Sequence, residues 1–343
     1  MKLLIVAQVV DTRDSFLSFF HGWIEEISKR FEKTTVICLK KGYYNLPGTE
    51  VLSLGKETMP SRLGYIIRFY QYAWKYRKEY DAVFVHMNQE YVLLGGLLWK
   101  LLGKKVYMWR NHHAGSFLTD MAALWCAKVF CTSKFSYTAR YRKTVLMPLG
   151  TDTTLYRINP SVHRKKDSIL FLGRISPVKK PDLLLGALYE ISQKHSEVTA
   201  TFVGDFLEKD RGYYESLLAK TKEFGLEEKV VFKKGVPSVD TLSIYNVHDV
   251  FVNLSSNGMY DKTIFEAMAC GCLVLASNDN LKGLIGDDFI FAQDNKGELI
   301  QKLEILLRCD PAQREKAVKE LREVAAKNSL QELAHRLAQE MMY

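Results

Sequence analysis

Two stretches of this 343-residue chain combine residue types that could bind and activate a phosphorylated ligand. In the first, the apolar run Ile169–Leu172 leads into Gly173-Arg174-Ile175-Ser176-Pro177-Val178-Lys179. A glycine at a strand end lets backbone approach a ligand closely. Arg174 offers a planar fork of donors, and Lys179 a mobile point charge five residues on. Together they could clamp a diphosphate and neutralise the charge that grows on it as it leaves. In the second, the run Val250–Leu254 leads through Ser255-Ser256-Asn257-Gly258-Met259-Tyr260-Asp261-Lys262 to the helical Thr263–Cys270, stopped by Gly271. The first turn of such a helix presents N–H groups and a positive dipole end, a seat for phosphate. Glu266, one turn in, could accept both hydroxyls of a ribose. A solvated basic loop would explain Gly-Arg-x4-Lys equally well; the small and apolar neighbours of Glu266 argue against a plain surface glutamate.

Arg110-Asn111-His112-His113-Ala114-Gly115 follows the strand-like Lys105–Trp109, so both histidines sit at a strand's carboxyl end. Loop histidines satisfied by backbone are the competing reading. Asp14 or Ser15, after the first apolar run, could cap the next helix and border a ligand. No Asp-x-Asp or histidine-cluster metal signature occurs. The six cysteines are scattered and read as reduced, buried thiols.

The elements that must hold these residues alternate apolar strand and amphipathic helix, implying parallel sheets covered on both faces. Strands are expected at Leu3–Val10, Thr35–Leu39, Ala82–His86, Lys105–Trp109, Ala127–Thr132 and Thr144–Met147. Phe16, Phe20, Trp23, Ile24, Ile27 and Phe31 follow the first at helical spacing. The polar stretch 148–168 breaks the rhythm. A second series then runs through Ile169–Leu172, Thr199–Val203, Val230–Phe232, Val250–Leu254 and Leu273–Ala276. The fold class is therefore α/β with two Rossmann-like doubly wound domains, 1–150 and 151–325, whose strand carboxyl ends face a cleft. Ala312–Met342 reads as almost continuous helix, and 326–343 as a C-terminal helix able to cross back to the first domain.

Residues 1–150 carry a net charge of +11 and the remainder −2. This asymmetry points to a polyanionic surface or substrate met by the first half, against a merely soluble basic surface. Across 62–78, Leu63, Ile66, Ile67, Tyr70 and Trp74 form one apolar stripe, expected on the sheet. Tyr65, Phe69, Tyr72 and Tyr76 form another, with Arg68 and Lys75 beside it, as an outer face for an anionic membrane; burial under a loop is the alternative. The longest apolar stretch, Tyr91–Leu102, is well short of the roughly twenty residues a span needs. Leu3–Ala7 is too short for a signal peptide core, so a cytoplasmic protein is expected, with peripheral contact on the inner membrane face.

The two elements around Arg174 and Glu266, with Met147-Pro148-Leu149-Gly150-Thr151-Asp152 before them, resemble glycosyltransferase family 4 of the GT-B fold. The resemblance implies a retaining, metal-independent hexosyltransferase in polysaccharide biosynthesis, with no cofactor. Its donor would be a UDP- or GDP-linked hexose or N-acetylhexosamine, and its acceptor a glycan or lipid-linked sugar. Carried over, Arg174 and Lys179 contact the donor diphosphate and Glu266 the ribose. His112, with His113 in reserve, touches the transferring sugar. Backbone of Asp261, Lys262, Thr263 and Ile264 meets phosphates and sugar; Gly173 shapes the loop, and Gly204-Asp205 and Gly235-Val236 border the base. The family's second glutamate, eight residues before Glu266, is Gly258 here. Asp261-Lys262 can take over its sugar contacts. Two readings stay open beside this one: a nucleotide-sugar epimerase on the same fold, and a catalytically degenerate nucleotide-sugar binder. No nucleic-acid motif supports a nucleic-acid partner.

Overall fold

The computed structural model describes the chain except residues 15–16, 59–60 and 238–239, so Ser15 and Phe16 lie outside the described residues. The chain divides into two compact units, one of residues 1–150 with 330–343 and one of 151–329.

The first unit runs β1 (Lys2–Val10), α1 (Phe19–Ser28), β2 (Lys33–Lys41), β3 (Glu50–Ser53), α2 (Arg62–Lys75), β4 (Ala82–His86), α3 (Gln89–Leu101), β5 (Lys105–Trp109), α4 (Phe117–Trp125), β6 (Lys128–Cys131) and β7 (Thr144–Leu146). Among the described residues its sheet has seven parallel strands in the order β3-β2-β1-β4-β5-β6-β7. Alternate residues of β1 serve opposite faces, as a pleated strand requires. Leu3, Ile5 and Ala7 pack with Phe20, Trp23 and Ile27 of α1, whereas Leu4 and Val6 pack on the side of α2, α3 and α4. Ahead of α1, the Asp14 carboxylate accepts the Leu17 N–H at 2.9 Å, holding the turn after β1.

The second unit runs β8 (Ser168–Leu172), α5 (Pro181–Ser192), β9 (Thr199–Val203), α6 (Arg211–Glu223), β10 (Val230–Lys233), α7 (Thr241–Val247), β11 (Val250–Asn253), α8 (Lys262–Ala269), β12 (Leu273–Ala276), α9 (Lys296–Leu307) and α10 (Pro311–Lys327). Its five described strands are also parallel, in the order β10-β9-β8-β11-β12. The direction of winding reverses between β8 and β11, the place where sheets of this kind open a crevice for ligands.

The helical C-terminus is broken at Asn328 and Ser329, and α11 (Leu330–Met342) belongs to the first unit. Leu330, Leu333, Leu337 and Met341 are buried there with Trp23 of α1. The Tyr107 hydroxyl donates to the Met341 carbonyl at 2.9 Å, and Lys128 reaches Glu340 at 2.8 Å. Leu337 is fully buried, so Leu337→Ala is expected to cost about 2–5 kcal/mol. A thermal melt showing no loss would mean that α11 adds nothing to this core.

The two stripes of α2 are the reverse of the expectation. Phe69 and Ala73 face the core, with Tyr76 just beyond the helix, while Tyr65 and Tyr72 pack against it. Leu63, Ile66, Ile67, Tyr70 and Trp74 are exposed. Phe69 reaches inward to Tyr91 and Trp99 of α3, and the Tyr76 hydroxyl finds the Glu50 carboxylate, so the aromatic stripe has partners inside. No helix of the described residues is long and apolar enough to cross a membrane. The six cysteines are free and all but Cys309 are buried.

Candidate active site

The carboxyl ends of β8, β9 and β10 are stitched together by backbone. Gly173 N–H donates to the Val203 carbonyl at 3.0 Å, and Gly204 N–H to the Lys233 carbonyl at 3.0 Å. A Cβ on Gly204 would lie 1.9 Å from the Gly173 carbonyl oxygen, so only glycine permits this approach. Beyond β10, the Gly235 N–H donates to Asp205 Oδ1 at 3.1 Å, and Val236 beside it is exposed. These residues, expected along the base, thus share one rim. Arg174, just past Gly173, is exposed.

Lys179 ends a short 3₁₀ turn, Pro177–Lys179, ahead of α5. Its ammonium donates to Asp261 Oδ2 at 2.7 Å and to the Ser255 hydroxyl at 2.8 Å. Asp261 is the N-cap of α8: Oδ1 accepts the Thr263 N–H at 3.3 Å and its hydroxyl at 2.9 Å. Oδ2 also accepts from Ser255 at 3.0 Å and from the Asn253 amide at 3.3 Å. Burial pushes the Asp261 carboxyl up, but the Lys179 ammonium and the hydrogen bonds outweigh it and hold it below the usual carboxylate range. The start of α8 is therefore not the open phosphate seat expected, because a side-chain carboxylate already sits on it. Ile264 is fully buried, and its N–H already donates to the Asp261 carbonyl at 3.2 Å.

One turn further, Glu266 Oε2 accepts from the Tyr245 hydroxyl at 2.9 Å. Burial raises Glu266 to about 7, against the hydrogen bond from Tyr245 and the attraction of Lys262. Burial lowers Lys262 to about 8, and Glu266 pulls it back up. Lys262 and Glu266 are i and i+4 on one helix face. Gly258, where the family carries a glutamate, has φ +131°, a region that favours glycine. Its loop is strapped down: Asn257 and Asp279 exchange two hydrogen bonds, at 2.7 and 2.8 Å, and the Tyr260 hydroxyl donates to the Asn280 carbonyl at 3.2 Å.

Sequence reasoning missed Asn253, Ser255 and Tyr245. Asn253 carried a signal, being the polar end of an apolar strand. Tyr245 carried none, lying 21 residues before the carboxylate it serves.

His112 and His113 lie in the first unit, exposed and stacked with ring centroids 4.5 Å apart. His112 Nδ1 faces the backbone of Ala114, 3.0 Å from its N–H and 3.1 Å from its carbonyl. The Tyr137 N–H holds the His112 carbonyl at 2.9 Å, fixing the loop. Backbone thus satisfies one ring nitrogen of His112, as the alternative reading allowed. Among the described residues no group of three or more His, Cys, Asp or Glu could hold a metal ion.

The chain resembles a D-inositol 3-phosphate glycosyltransferase of Segniliparus rotundus, 25% identical over 149 residues, covering 41% of this chain and 33% of the relative. It is also 31% identical over 146 residues to spore coat protein SA of Bacillus subtilis, covering 42% of this chain and 37% of the relative. The chain thus spans about a third of the length of these relatives. Among solved structures, Anabaena Alr3699/HepE in complex with UDP superposes with a TM-score of 0.78 at 19% identity, covering both chains fully. That likeness gives the fold: two doubly wound parallel-sheet units of the GT-B class. The model of the family described as glycosyl transferases group 1 matches residues 154–328, which hold Arg174, Lys179, Asp261 and Glu266. On that match, across half of its length, the chain belongs to the glycosyl transferases group 1 family.

Proposed function

We propose that this protein is a retaining, metal-independent glycosyltransferase of family 4. It would move a hexose or N-acetylhexosamine from a UDP- or GDP-sugar to a glycan or lipid-linked acceptor in polysaccharide biosynthesis. It would work in the cytoplasm, peripherally at the inner face of an anionic membrane. The observation that carries this reading is the Lys179–Asp261–Ser255 network where the winding of the second sheet reverses, with Lys262 and Glu266 on the helix that follows. HepE, a fold neighbour, has been solved with UDP-glucose, which makes UDP-sugars the first donors to try.

In this reading Arg174 and Lys179 take the diphosphate, and Lys179 is already aimed by Asp261 and Ser255. A preorganised cation needs little rearrangement as charge builds on the leaving oxygen. Glu266 takes the ribose hydroxyls, the glycine rim at 173, 204 and 235 the base, and His112 the transferring sugar. The bond from the sugar's anomeric carbon to phosphate breaks while the acceptor oxygen attacks the same face. The acceptor proton passes to the leaving phosphate, so no protein base or nucleophile is assigned.

The test is release of UDP or GDP from a panel of nucleotide sugars, with and without glycan and lipid-linked acceptors, in EDTA. Acceptor-dependent turnover that survives the chelator is expected. Complete loss restored by Mn²⁺ would sink the metal-independent part. Conversion of the sugar without acceptor would mark an epimerase, and tight binding without turnover a degenerate binder.

A further inference from the structure

The outward face of α2 carries apolar side chains that stay open to solvent among the described residues. Leu63 is 68% exposed, Ile67 48% and Trp74 53%, with Ile66 and Tyr70 also open. Leu97 and Leu101 of α3 are open as well. The two helices are neighbours, since the Tyr70 hydroxyl donates to the Leu94 carbonyl at 2.6 Å. Rotation cannot bury this face, because the opposite one is filled by Phe69, Ala73 and Tyr76.

The charge along α2 has one sign. No acidic residue lies between Glu57 and Glu79, and that stretch holds Arg62, Arg68, Lys75, Arg77 and Lys78. Arg68 is spent inward on the Leu54 carbonyl at 2.7 Å. Arg62, Lys75 and Lys78 are exposed, as is Lys100 on α3. Arg77 lies 4.3 Å from the Trp74 ring, keeping a cation beside the largest apolar group. An apolar stripe with tryptophan and tyrosine, flanked on α2 by lysine and arginine with Glu90 the exposed acid at the start of α3, has the chemistry of a helix lying in a bilayer interface.

We propose that the outer face of α2, joined by Leu97 and Leu101, docks the protein on a bilayer rich in anionic phospholipid. Leu63, Ile67 and Trp74 enter the acyl boundary, and Arg62, Lys75, Lys78 and Lys100 meet headgroup phosphates. The proposal deepens the membrane part of the proposed function by naming the face, and it does not depend on sugar transfer. Protein partners that are neutral or acidic would fit the charges but not a stripe of isolated aliphatic side chains without a groove.

The test is flotation of the full chain with vesicles containing phosphatidylglycerol and with vesicles of phosphatidylcholine alone. Binding to the anionic vesicles is expected, weakened by salt. Each basic residue near the surface strengthens partition about fivefold. Leu63→Asp with Ile67→Asp should lower that partition about 100-fold or more. Both positions are exposed, so Tm and solution hydrolysis of a UDP-sugar should stay unchanged. Arg62→Glu with Lys75→Glu should weaken binding to anionic vesicles and leave Tm unchanged. Undiminished vesicle binding by the aspartate variant would overturn the proposal, as would equal binding to neutral vesicles. A concentration-dependent dimer in sedimentation, abolished by the aspartate pair, without vesicle binding would assign the face to a second copy and overturn it too. Vesicle binding that depends on α2 without any donor turnover would leave this inference standing and sink the enzymatic reading instead.

Discussion

Arg174→Ala and Lys179→Ala should each lower kcat/KM by about 10²-fold or more, and only Lys179→Ala should also lower Tm. The two cations differ in what holds them. Arg174 is exposed, so its removal costs a charge partner in the transition state and leaves no buried group stranded. Lys179 is bonded to Asp261 at 2.7 Å, and their side chains are 34% and 20% exposed. Its removal strands a carboxylate among Ser255, Asn253 and Thr263. Breaking a fully buried pair costs about 3–5 kcal/mol, and solvent screening at this site reduces the expectation to about 1–3 kcal/mol. The loss should shrink as pH falls, because Asp261 is held ionised by Lys179 and, without it, is neutralised by taking up a proton. Lys179→Met with Asp261→Asn should recover Tm and leave kcat/KM low. Recovery of activity in that double variant would show that Lys179 serves only Asp261. Near-normal turnover in both single variants would remove the clamp from the site.

The parts of this site that could be read from sequence are those where one residue type has few alternatives. Gly173 and Gly204 end apolar strands and were read as letting backbone approach a ligand; what the structure shows at Gly204 is a close approach to the Gly173 carbonyl instead. The break near Gly150 was read from polar residues that interrupt two series of apolar strands; the compact units comprise 1–150 with 330–343, and 151–329. Asp261 was named as a ligand contact, but its role as cap and counter-ion depends on a lysine 82 residues away, which no local pattern shows. Edge strand β3 was missed because Glu50–Ser53 holds only two apolar residues. The faces of α2 came out reversed for a different reason. Periodicity shows that a helix has two apolar stripes without saying which turns inward. That choice was made by Ala73, small enough for close packing, and by Phe69 meeting Tyr91 and Trp99 of another helix. The break at Asn328–Ser329 was hidden because it contains neither glycine nor proline. The Asn328 side chain donates to the Val324 carbonyl at 3.0 Å and closes α10 from its own end.

Donor affinity should rise as pH climbs through about 7 and fall again above about 8, because the site must hold Glu266 ionised and Lys262 charged at once. A carboxylate accepts two ribose hydroxyls, whereas its protonated form gives up part of that capacity. Above 8, Lys262 loses the charge that would draw an anionic donor to this helix face. The two groups share a helix face, so the flanks belong to the pair and not to either residue alone. The empty protein should show the opposite trend in stability. Glu266 is raised above its unfolded value, so the stability it contributes is present in acid and is lost as pH rises through about 7. Lys262 is lowered below its unfolded value, so stability returns as pH rises beyond about 8. Tm without donor should therefore be lowest where the donor binds best, and bound donor should raise it most in that window. Glu266→Gln keeps an acceptor for Tyr245 and removes the buried charge. It should erase the acid flank of the binding profile, lower kcat/KM by about 10²-fold, and raise Tm of the empty protein above pH 7. Lys262→Met should erase the alkaline flank. These opposed signs separate a ligand role for Glu266 from a structural one, since a structural carboxylate would lose Tm and affinity together. A wild-type affinity that stays flat from acid to alkali would take the pair out of donor binding, as would a Glu266→Gln profile that keeps its acid flank.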